Sequence, residues 1–195
     1  MNTESLKLIE CPRDAMQGIH QFIPTGSSAI VAKDLLRDTD EVLDRLDLSE
    51  TNTKLLAIIA NRQGAEMAAK RPEISYLGYP FSVSEIFQKR NTNKTIAESI
   101  ELVKELLEIC NTNDKQLVVY ISMGFGNPYG EEWSLELVEQ YCEQMINLGV
   151  KILSLSDTIG TSNPANITHL FSGLINTFPN VEFGAHLHTT PDTWH

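Results

Sequence analysis

The 195-residue sequence has few cysteines and no long hydrophobic run. Its three cysteines, Cys11, Cys110 and Cys142, are odd in number and widely spaced. This spacing argues against a disulfide framework and favours a reducing cytoplasm. No run approaches the roughly 20 apolar residues that a membrane-spanning helix needs. The N-terminal segment has no basic stretch followed by an apolar one, so we predict no secretory signal.

Basic residues are also scarce, with 15 Lys and Arg against 26 Asp and Glu, and the formal net charge is -11. An acidic surface disfavours binding to nucleic acids and to anionic membranes, because both carry phosphates. It does not exclude an anionic small molecule, since a site can be locally basic in an acidic chain. The excess of acidic residues is itself typical of a soluble protein.

The chain does have alternating strand and helix patterns. Apolar and β-branched runs predict six strands, at residues 6–11, 54–60, 74–79, 116–123, 151–156 and 181–188, and a weak seventh at 28–31. Helical spacing predicts helices at about 64–70 and 94–110, and others that begin at Ser134 and at Asn163-Pro164. This order predicts an α/β fold with parallel strands and, since no linker is visible, a single domain over residues 1–195.

The strongest local motif is His186-Leu187-His188, at the carboxyl end of the last predicted strand. Residues two apart in a strand point to the same face, so the two imidazoles project together. Two histidines at this spacing can chelate one divalent cation. A hydrogen-bonded pair at a strand end is the alternative. Leu187 and the other alternate residues should face covering helices.

Two other strand ends carry charged residues. Arg13 and Asp14 follow the first strand, where the arginine would supply a fixed cation and the aspartate a hard oxygen ligand for a metal. The alternative is a simple ion pair within a loop. Asp157 ends the strand at 151–156. Its carboxylate can bind a metal, orient a ligand or take a proton. The alternative is a turn or cap residue, because Asp-Thr close to Gly160 commonly forms a turn.

Two further segments follow strands. The glycine-rich residues 124–130 would let a ligand approach the backbone, or form an ordinary surface loop. Residues 88–94 are the most basic stretch of the chain. They could meet phosphates or form a solvated, basic loop before the next helix. Active sites of α/β folds lie at the carboxyl ends of strands, so in a barrel all of these segments would meet at one rim.

Several segments resemble signatures of the hydroxymethylglutaryl-CoA lyase family. Residues 10–17, Glu-Cys-Pro-Arg-Asp-Ala-Met-Gln, are similar to its Pro-Arg-Asp-Gly-Leu-Gln signature. Residues 84–91, Ser-Glu-Ile-Phe-Gln-Lys-Arg-Asn, are similar to its Ser-Glu-x-Phe-x-Lys-x-Asn segment. Residues 127–130, 154–160 and 186–188 follow in the family's order. The resemblance extends from about residue 6 to the end, apart from roughly 24–37.

The resemblance implies a metal-dependent TIM-barrel enzyme of leucine degradation. Such an enzyme cleaves its small-molecule CoA thioester substrate, 3-hydroxy-3-methylglutaryl-CoA, into acetoacetate and acetyl-CoA, with Mg²⁺ or Mn²⁺ as cofactor. The implied roles are metal ligation by Asp14, His186 and His188, enolate stabilisation by Arg13, a place near the substrate hydroxyl for Asp157, and coenzyme A binding by Lys89, Arg90 and Asn91.

The sequence also departs from the family pattern. Family members carry a fourth metal ligand, an asparagine, and a catalytic Gly-Gly-Cys loop, and neither has a counterpart here. Cys110 and Cys142 lie in predicted helices, so neither can be the cysteine of that loop. Residues 26–36 replace a strand that ends in an active-site glutamate, and Thr189 stands where many members have Asp. We therefore expect an incomplete copy, a partial (β/α)8 barrel with six or seven of eight strands. We expect it to be weakly active or inactive alone, with exposed edges that promote homo-oligomers or aggregation.

Two alternatives stay open. The first is a related acetyl-CoA-dependent Claisen synthase of the 2-isopropylmalate or homocitrate type. The segments at 10–17 and 84–87 favour the lyase over this synthase. The second is a non-catalytic fragment that keeps some metal affinity and assembles with a partner.

Overall fold

The computed structural model describes Lys7, Asp40 and residues 43–188. The chain divides into two compact units, residues 1–53 and 54–195. In the first unit, residues 43–45 are helical and Leu43 is buried. The strands predicted at 6–11 and 28–31 lie outside the described residues, and the single domain over 1–195 stays a prediction.

The second unit contains one parallel sheet with its strands in chain order. The strands are β1 (Leu55–Ile58), β2 (Ile74–Ser82), β3 (Gln116–Ser122), β4 (Ile152–Asp157) and β5 (Glu182–Leu187). Each overlaps a predicted strand, so five predicted strands and their parallel pairing are confirmed. Parallel neighbours in chain order, each joined to the next through a helix, are the arrangement of a (β/α)8 barrel.

Five helices connect or follow these strands. They are α1 (Arg62–Ala69), α2 (Glu85–Thr92), α3 (Ile96–Thr112), α4 (Leu135–Leu148) and α5 (Pro164–Thr177). Each has a side-chain N-cap, and the caps predicted at Ser134 and at Asn163, which precedes Pro164, are confirmed. Within the described ranges, no helix has the length and apolar character that crossing a membrane requires.

Helix α2 was not predicted, and it corrects the interpretation of the basic stretch. Residues 88–92 belong to this helix rather than to a loop. The buried residue of α2 is a polar one, Gln88, which is fully buried. Its Oε1 accepts a hydrogen bond from the Ser82 amide at 2.6 Å, and its Nε2 donates to Thr92 Oγ1 at 2.8 Å. A buried amide whose hydrogen bonds are satisfied does not contribute to a hydrophobic pattern, so the pattern did not predict helix α2.

The two faces of the sheet differ in character. Strand pairing aligns alternate residues, so each face is defined by position along the strand. The face towards the helices carries large buried side chains, namely Tyr79, Phe81, Val119, Ile121, Leu153 and Leu155. The Phe81 ring lies 5.5 Å from that of Tyr141 in α4, which identifies this face. The opposite face, here called the inner face, is the more polar of the two and carries Gly78, Pro80, Val118, Tyr120, Ser122, Ile152, Ser154, Ser156 and His186.

Strand β5 ends the described sheet and is only partly covered. Leu187 lies on the face opposite His186, as predicted. Its side chain is nevertheless 41% exposed, so the expected helical cover over Leu187 was wrong for the described part of the chain. The reason is the position of β5, which pairs with β4 alone among the described strands.

Candidate active site

The two histidines at the end of β5 converge. The Nε2 atoms of His186 and His188 lie 3.1 Å apart, and their ring centroids are separated by 5.1 Å. If an ion were bonded at about 2.1 Å to each nitrogen, the N–ion–N angle would be about 95°, close to that between neighbouring ligands of an octahedral site. The pair therefore fits a divalent cation. The same contact also fits a hydrogen bond between neutral rings, the alternative that the sequence left open.

The inner face surrounds His186 with groups that the sequence did not single out. The Tyr120 ring meets the His186 ring edge-on, with centroids 6.0 Å apart and planes at 82°. Ser156 pairs with His186 across β4 and β5, and its hydroxyl donates to the Ser154 carbonyl at 3.2 Å. The two-residue spacing of Ser154 and Ser156 matches that of the histidines, and this spacing is the signal that could have revealed them.

Asp157 occupies the other face. It pairs with Leu187 rather than with His186, and only 1% of it is exposed. Its Oδ1 accepts the amide of Thr161 at 2.8 Å, and its Oδ2 accepts the amide of Ser162 at 3.0 Å. The structure thus gives Asp157 the turn-capping role that the sequence allowed. Its catalytic role stays a prediction.

The glycine-rich segment is part of a longer loop, residues 123–133, called the β3 loop. It is tied to the loop that follows β4, residues 158–163, called the β4 loop. The Met123 amide donates to Thr158 Oγ1 at 2.8 Å, and the Thr161 hydroxyl donates to the Phe125 carbonyl at 3.0 Å. The Gly124 amide donates to the carbonyl of Ser156 at 3.1 Å. A Cβ at Gly124 would lie only 2.9 Å from the carbonyl oxygen of Ile121, so this position requires glycine.

The β3 loop is also attached to the start of α2. Asn127 Oδ1 accepts the amides of Tyr129 at 3.0 Å and of Glu131 at 3.2 Å. The Glu131 carboxylate accepts hydrogen bonds from the Ser84 hydroxyl and from the Ile86 amide. A carboxylate is favourable there, because the unpaired amides of a helix N-terminus carry partial positive charge. The loop is therefore held between two neighbouring elements.

The three residues predicted to bind coenzyme A lie on α2. Successive helix residues point about 100° apart, so Lys89, Arg90 and Asn91 share no single face. The ammonium of Lys89 lies 2.9 Å from the Glu85 carboxylate. The pKa of Glu85 is lowered, first by the amide of Ile96 and then by Lys89. The Arg90 guanidinium lies over the Tyr129 ring, 5.0 Å from its centroid, and Asn91 is exposed.

The remaining predicted site residues, Arg13 and Asp14, lie outside the described residues. Within the described ranges, no group of three or more His, Cys, Asp or Glu could hold a metal ion. The described chain thus supplies the histidine pair, and a third ligand from Asp14 stays a prediction.

Two cysteines lie buried in helices, as predicted: Cys110 in α3 and Cys142 in α4. Burial raises the pKa of Cys110 to about 11. Burial and the nearby Glu139 raise that of Cys142 to about 12. Both thiols are buried and stay protonated near neutral pH, so neither offers the accessible thiolate of a catalytic cysteine.

We expect Cys110 and Cys142 to resist modification by a disulfide reagent at pH 8 in the folded protein. At that pH about one Cys110 thiol in a thousand would be ionised, and burial blocks access as well. Spectrophotometric thiol counting in a Cys11→Ser variant measures this directly. The same variant unfolded in denaturant should react at both thiols. Fast native modification would contradict the buried placement.

Consecutive parallel strands joined through helices, with a histidine pair at a carboxyl end, are the arrangement of part of a TIM barrel. A family model described as HMGL-like matches residues 21–192. The chain therefore belongs to the HMGL-like family, and the family resemblance and the partial barrel fold are both confirmed.

Curated relatives and solved structures agree with this assignment. A hydroxymethylglutaryl-CoA lyase of Bacillus subtilis is 29% identical over 188 residues, which are 92% of this chain and 62% of the relative. One from Pseudomonas mevalonii is 31% identical over 156 residues, 80% of this chain and 50% of the relative. This chain thus spans between half and two thirds of the length of these relatives.

The crystal structure of the Bacillus subtilis HMG-CoA lyase superposes with a TM-score of 0.77 at 26% identity, over 91% of this chain and 66% of that one. An HMG-CoA lyase of Acinetobacter baumannii, solved in complex with coenzyme A and 3-methylmalate, gives 0.78 at 22% identity, over 92% and 65%. The second likeness supports the fold alone.

Proposed function

We propose that this chain carries the carbon–carbon lyase chemistry that cleaves 3-hydroxy-3-methylglutaryl-CoA into acetoacetate and acetyl-CoA. The observation that carries the proposal is the convergence of His186 and His188 at the carboxyl end of β5, in a chain of the HMGL-like family. Relatives named for this reaction match at 29% and 31% identity.

The proposed metal ligands are His186, His188 and Asp14, and the proposed ion is Mg²⁺ or Mn²⁺. When bound, a divalent cation makes a coordinated hydroxyl more acidic and offsets negative charge that develops on oxygen. The 3.1 Å separation of the two imidazole nitrogens supports this assignment.

The proposed cleavage removes the proton of the tertiary hydroxyl and breaks the bond between C2 and C3 of the acyl chain. The hydroxyl carbon leaves as the ketone of acetoacetate, and the bonding electron pair forms the enolate of acetyl-CoA, which then takes up a proton. We assign Arg13 to the enolate oxygen, where a fixed guanidinium offsets its charge. We assign Asp157 to the neighbourhood of the substrate hydroxyl, and its hydrogen bonds to Thr161 and Ser162 fix the β4 loop.

We place the coenzyme A portion of the substrate against α2, with Lys89, Arg90 and Asn91 as contacts. All three side chains are exposed, and two of them are cations in a chain with a net charge of -11. The relatives that match at 29% and 31% identity are named hydroxymethylglutaryl-CoA lyases, and a substrate of that name carries coenzyme A, which supports a ligand of this class.

The deciding measurement is acetoacetate formation from 3-hydroxy-3-methylglutaryl-CoA with Mn²⁺ or Mg²⁺. The 195-residue chain is compared with a fusion that adds the remaining C-terminal segment of the Bacillus subtilis relative. We expect turnover in the fusion and little or none in the chain alone, which has no counterpart of the Gly-Gly-Cys loop. Turnover in both would make that loop dispensable.

Three other results would contradict the proposal. Consumption of acetyl-CoA with a 2-oxo acid, rather than its release, would indicate the related synthase. Mn²⁺ binding without turnover in the fusion would indicate a non-catalytic protein. Absence of both binding and turnover would remove the metal-assisted mechanism altogether.

We also propose a cytoplasmic protein that self-associates through its strand edges and does not use nucleic acids or membranes as partners. An exposed edge strand offers unpaired backbone groups to a second copy. Sedimentation velocity over a range of concentrations tests self-association, and a stable monomer at all of them would contradict it.

A further inference from the structure

One aromatic ring lies against a residue of the proposed coenzyme A site. The guanidinium of Arg90 lies 5.0 Å from the centroid of the half-buried Tyr129 ring, while the rest of Arg90 is exposed. We propose that Tyr129 is a positioning residue, which orients Arg90 to bind the phosphates of a coenzyme A thioester. This inference rests on the proposed function, because coenzyme A as the ligand comes from there.

The Tyr129 ring is held by the loop around it. Asn127 Oδ1 accepts the amides of Tyr129 and Glu131, and its Nδ2 donates to the Glu131 carbonyl at 3.1 Å. These three bonds close a compact turn on either side of Tyr129. The backbone position from which the ring projects is thus fixed by hydrogen bonds of the loop.

The same turn is joined to the helix that carries Arg90. The Glu131 carboxylate binds the Ser84 hydroxyl and the Ile86 amide in the first turn of α2. Tyr129 and Arg90 therefore lie on two segments whose relative position is set by hydrogen bonds. A ring placed in this way offers a defined surface for the guanidinium.

The contact of Arg90 with the ring matters because an exposed arginine side chain samples many rotamers. A free Arg side chain loses up to about 2 kcal/mol of rotamer entropy when a ligand orders it. A guanidinium stacked on a ring face is already partly ordered, and its N–H groups point outward in its own plane, where they can bind a phosphate in a bidentate manner. Lys89 differs, because its ammonium already pairs with Glu85.

The test is a double-mutant cycle on coenzyme A affinity, measured by isothermal titration calorimetry with the 195-residue chain. We expect Arg90→Gln to weaken binding about ten-fold, since a charge-assisted contact to phosphate is lost. We expect Tyr129→Leu to weaken it about three-fold, the size of an exposed cation–π contact. Tyr129→Phe keeps the ring and should bind like the wild type.

The decisive measurement is the coenzyme A affinity of the double variant. In the Arg90→Gln background, Tyr129→Leu should weaken binding no further. A merely structural role of Tyr129 would lower affinity equally in both backgrounds and would overturn the inference. So would a Tyr129→Phe variant as weak as Tyr129→Leu, or a Tyr129→Leu variant as tight as the wild type. Lys104→Gln, which removes a cation paired with Glu101 on α3, is the matched charge control and should change nothing.

The same experiment separates the two proposals. Coenzyme A binding by the wild type, with additive effects in the cycle, would overturn the role of Tyr129 and leave the proposed function intact. No binding of coenzyme A by the wild-type chain would overturn the role of Tyr129, while acetoacetate formation by the fusion would still decide the proposed function.

Discussion

Replacing His188 with alanine is expected to lower the affinity for Mn²⁺ by about 100-fold. Residues that merely support a metal ligand can cost 10–100-fold when they are changed, so loss of a ligand itself belongs at the upper end. His188 is exposed at the end of β5, and its Nε2 lies 3.1 Å from that of His186. The expected loss therefore comes from the broken chelate and not from unfolding. Mn²⁺ titration followed by electron paramagnetic resonance measures it.

The matched control is His169→Ala. His169 is exposed on α5, and its Nε2 lies 3.8 Å from the Glu139 carboxylate. This substitution removes an imidazole from the surface but not from the strand end, so Mn²⁺ affinity should stay the same. If His188→Ala bound Mn²⁺ as tightly as the wild type, the histidines would form a hydrogen-bonded pair and the proposed metal site would be wrong.

Replacing Asp157 with alanine is expected to reduce the free energy of unfolding by about 3 kcal/mol. The buried carboxylate accepts two backbone amides, from Thr161 and Ser162, and hydrogen bonds to a charged group contribute about 1.5–3 kcal/mol each. Water that enters the space would restore part of this loss. Asp157→Asn keeps one amide acceptor and should lose about half as much. Urea denaturation followed by circular dichroism measures both.

Ser156→Ala is the control for this prediction, because Ser156 is also buried in β4 but lies on the inner face. Its hydroxyl makes one bond to a carbonyl of its own strand, so its loss should cost about 1 kcal/mol or less. An Asp157→Ala variant as stable as the wild type, but without turnover in the fusion, would indicate that Asp157 acts in catalysis and not in the turn.

The central strands of the sheet, β2, β3 and β4, were predictable because they are largely buried on both faces. Residues 117–121 are apolar without interruption, which is typical of strands in a covered parallel sheet. The helices with an apolar stripe and a side-chain cap were equally visible. Helix α2 was not, because the residue at the centre of its buried face is Gln88, whose bonds to Ser82 and Thr92 exist only in the folded chain.

The candidate site was predictable within one strand but not between strands. The common face of His186 and His188 follows from the two-residue period alone. The opposite face of Asp157 does not, because it depends on the register in which β4 pairs with β5. The contact between Arg90 and Tyr129 was also invisible, since the two residues are distant in the sequence and meet only when the β3 loop is bound to α2.

The register of β4 also shows where a new metal ligand could be introduced. A deletion of one residue within β4 would exchange the faces of Ser156 and Asp157, and would release the β4 loop from its cap. Substitution avoids that damage. Ser156→Asp would place a carboxylate beside His186 while Asp157 keeps its two amides. The inner face of this chain is therefore a scaffold on which a three-ligand centre can be designed by a single change.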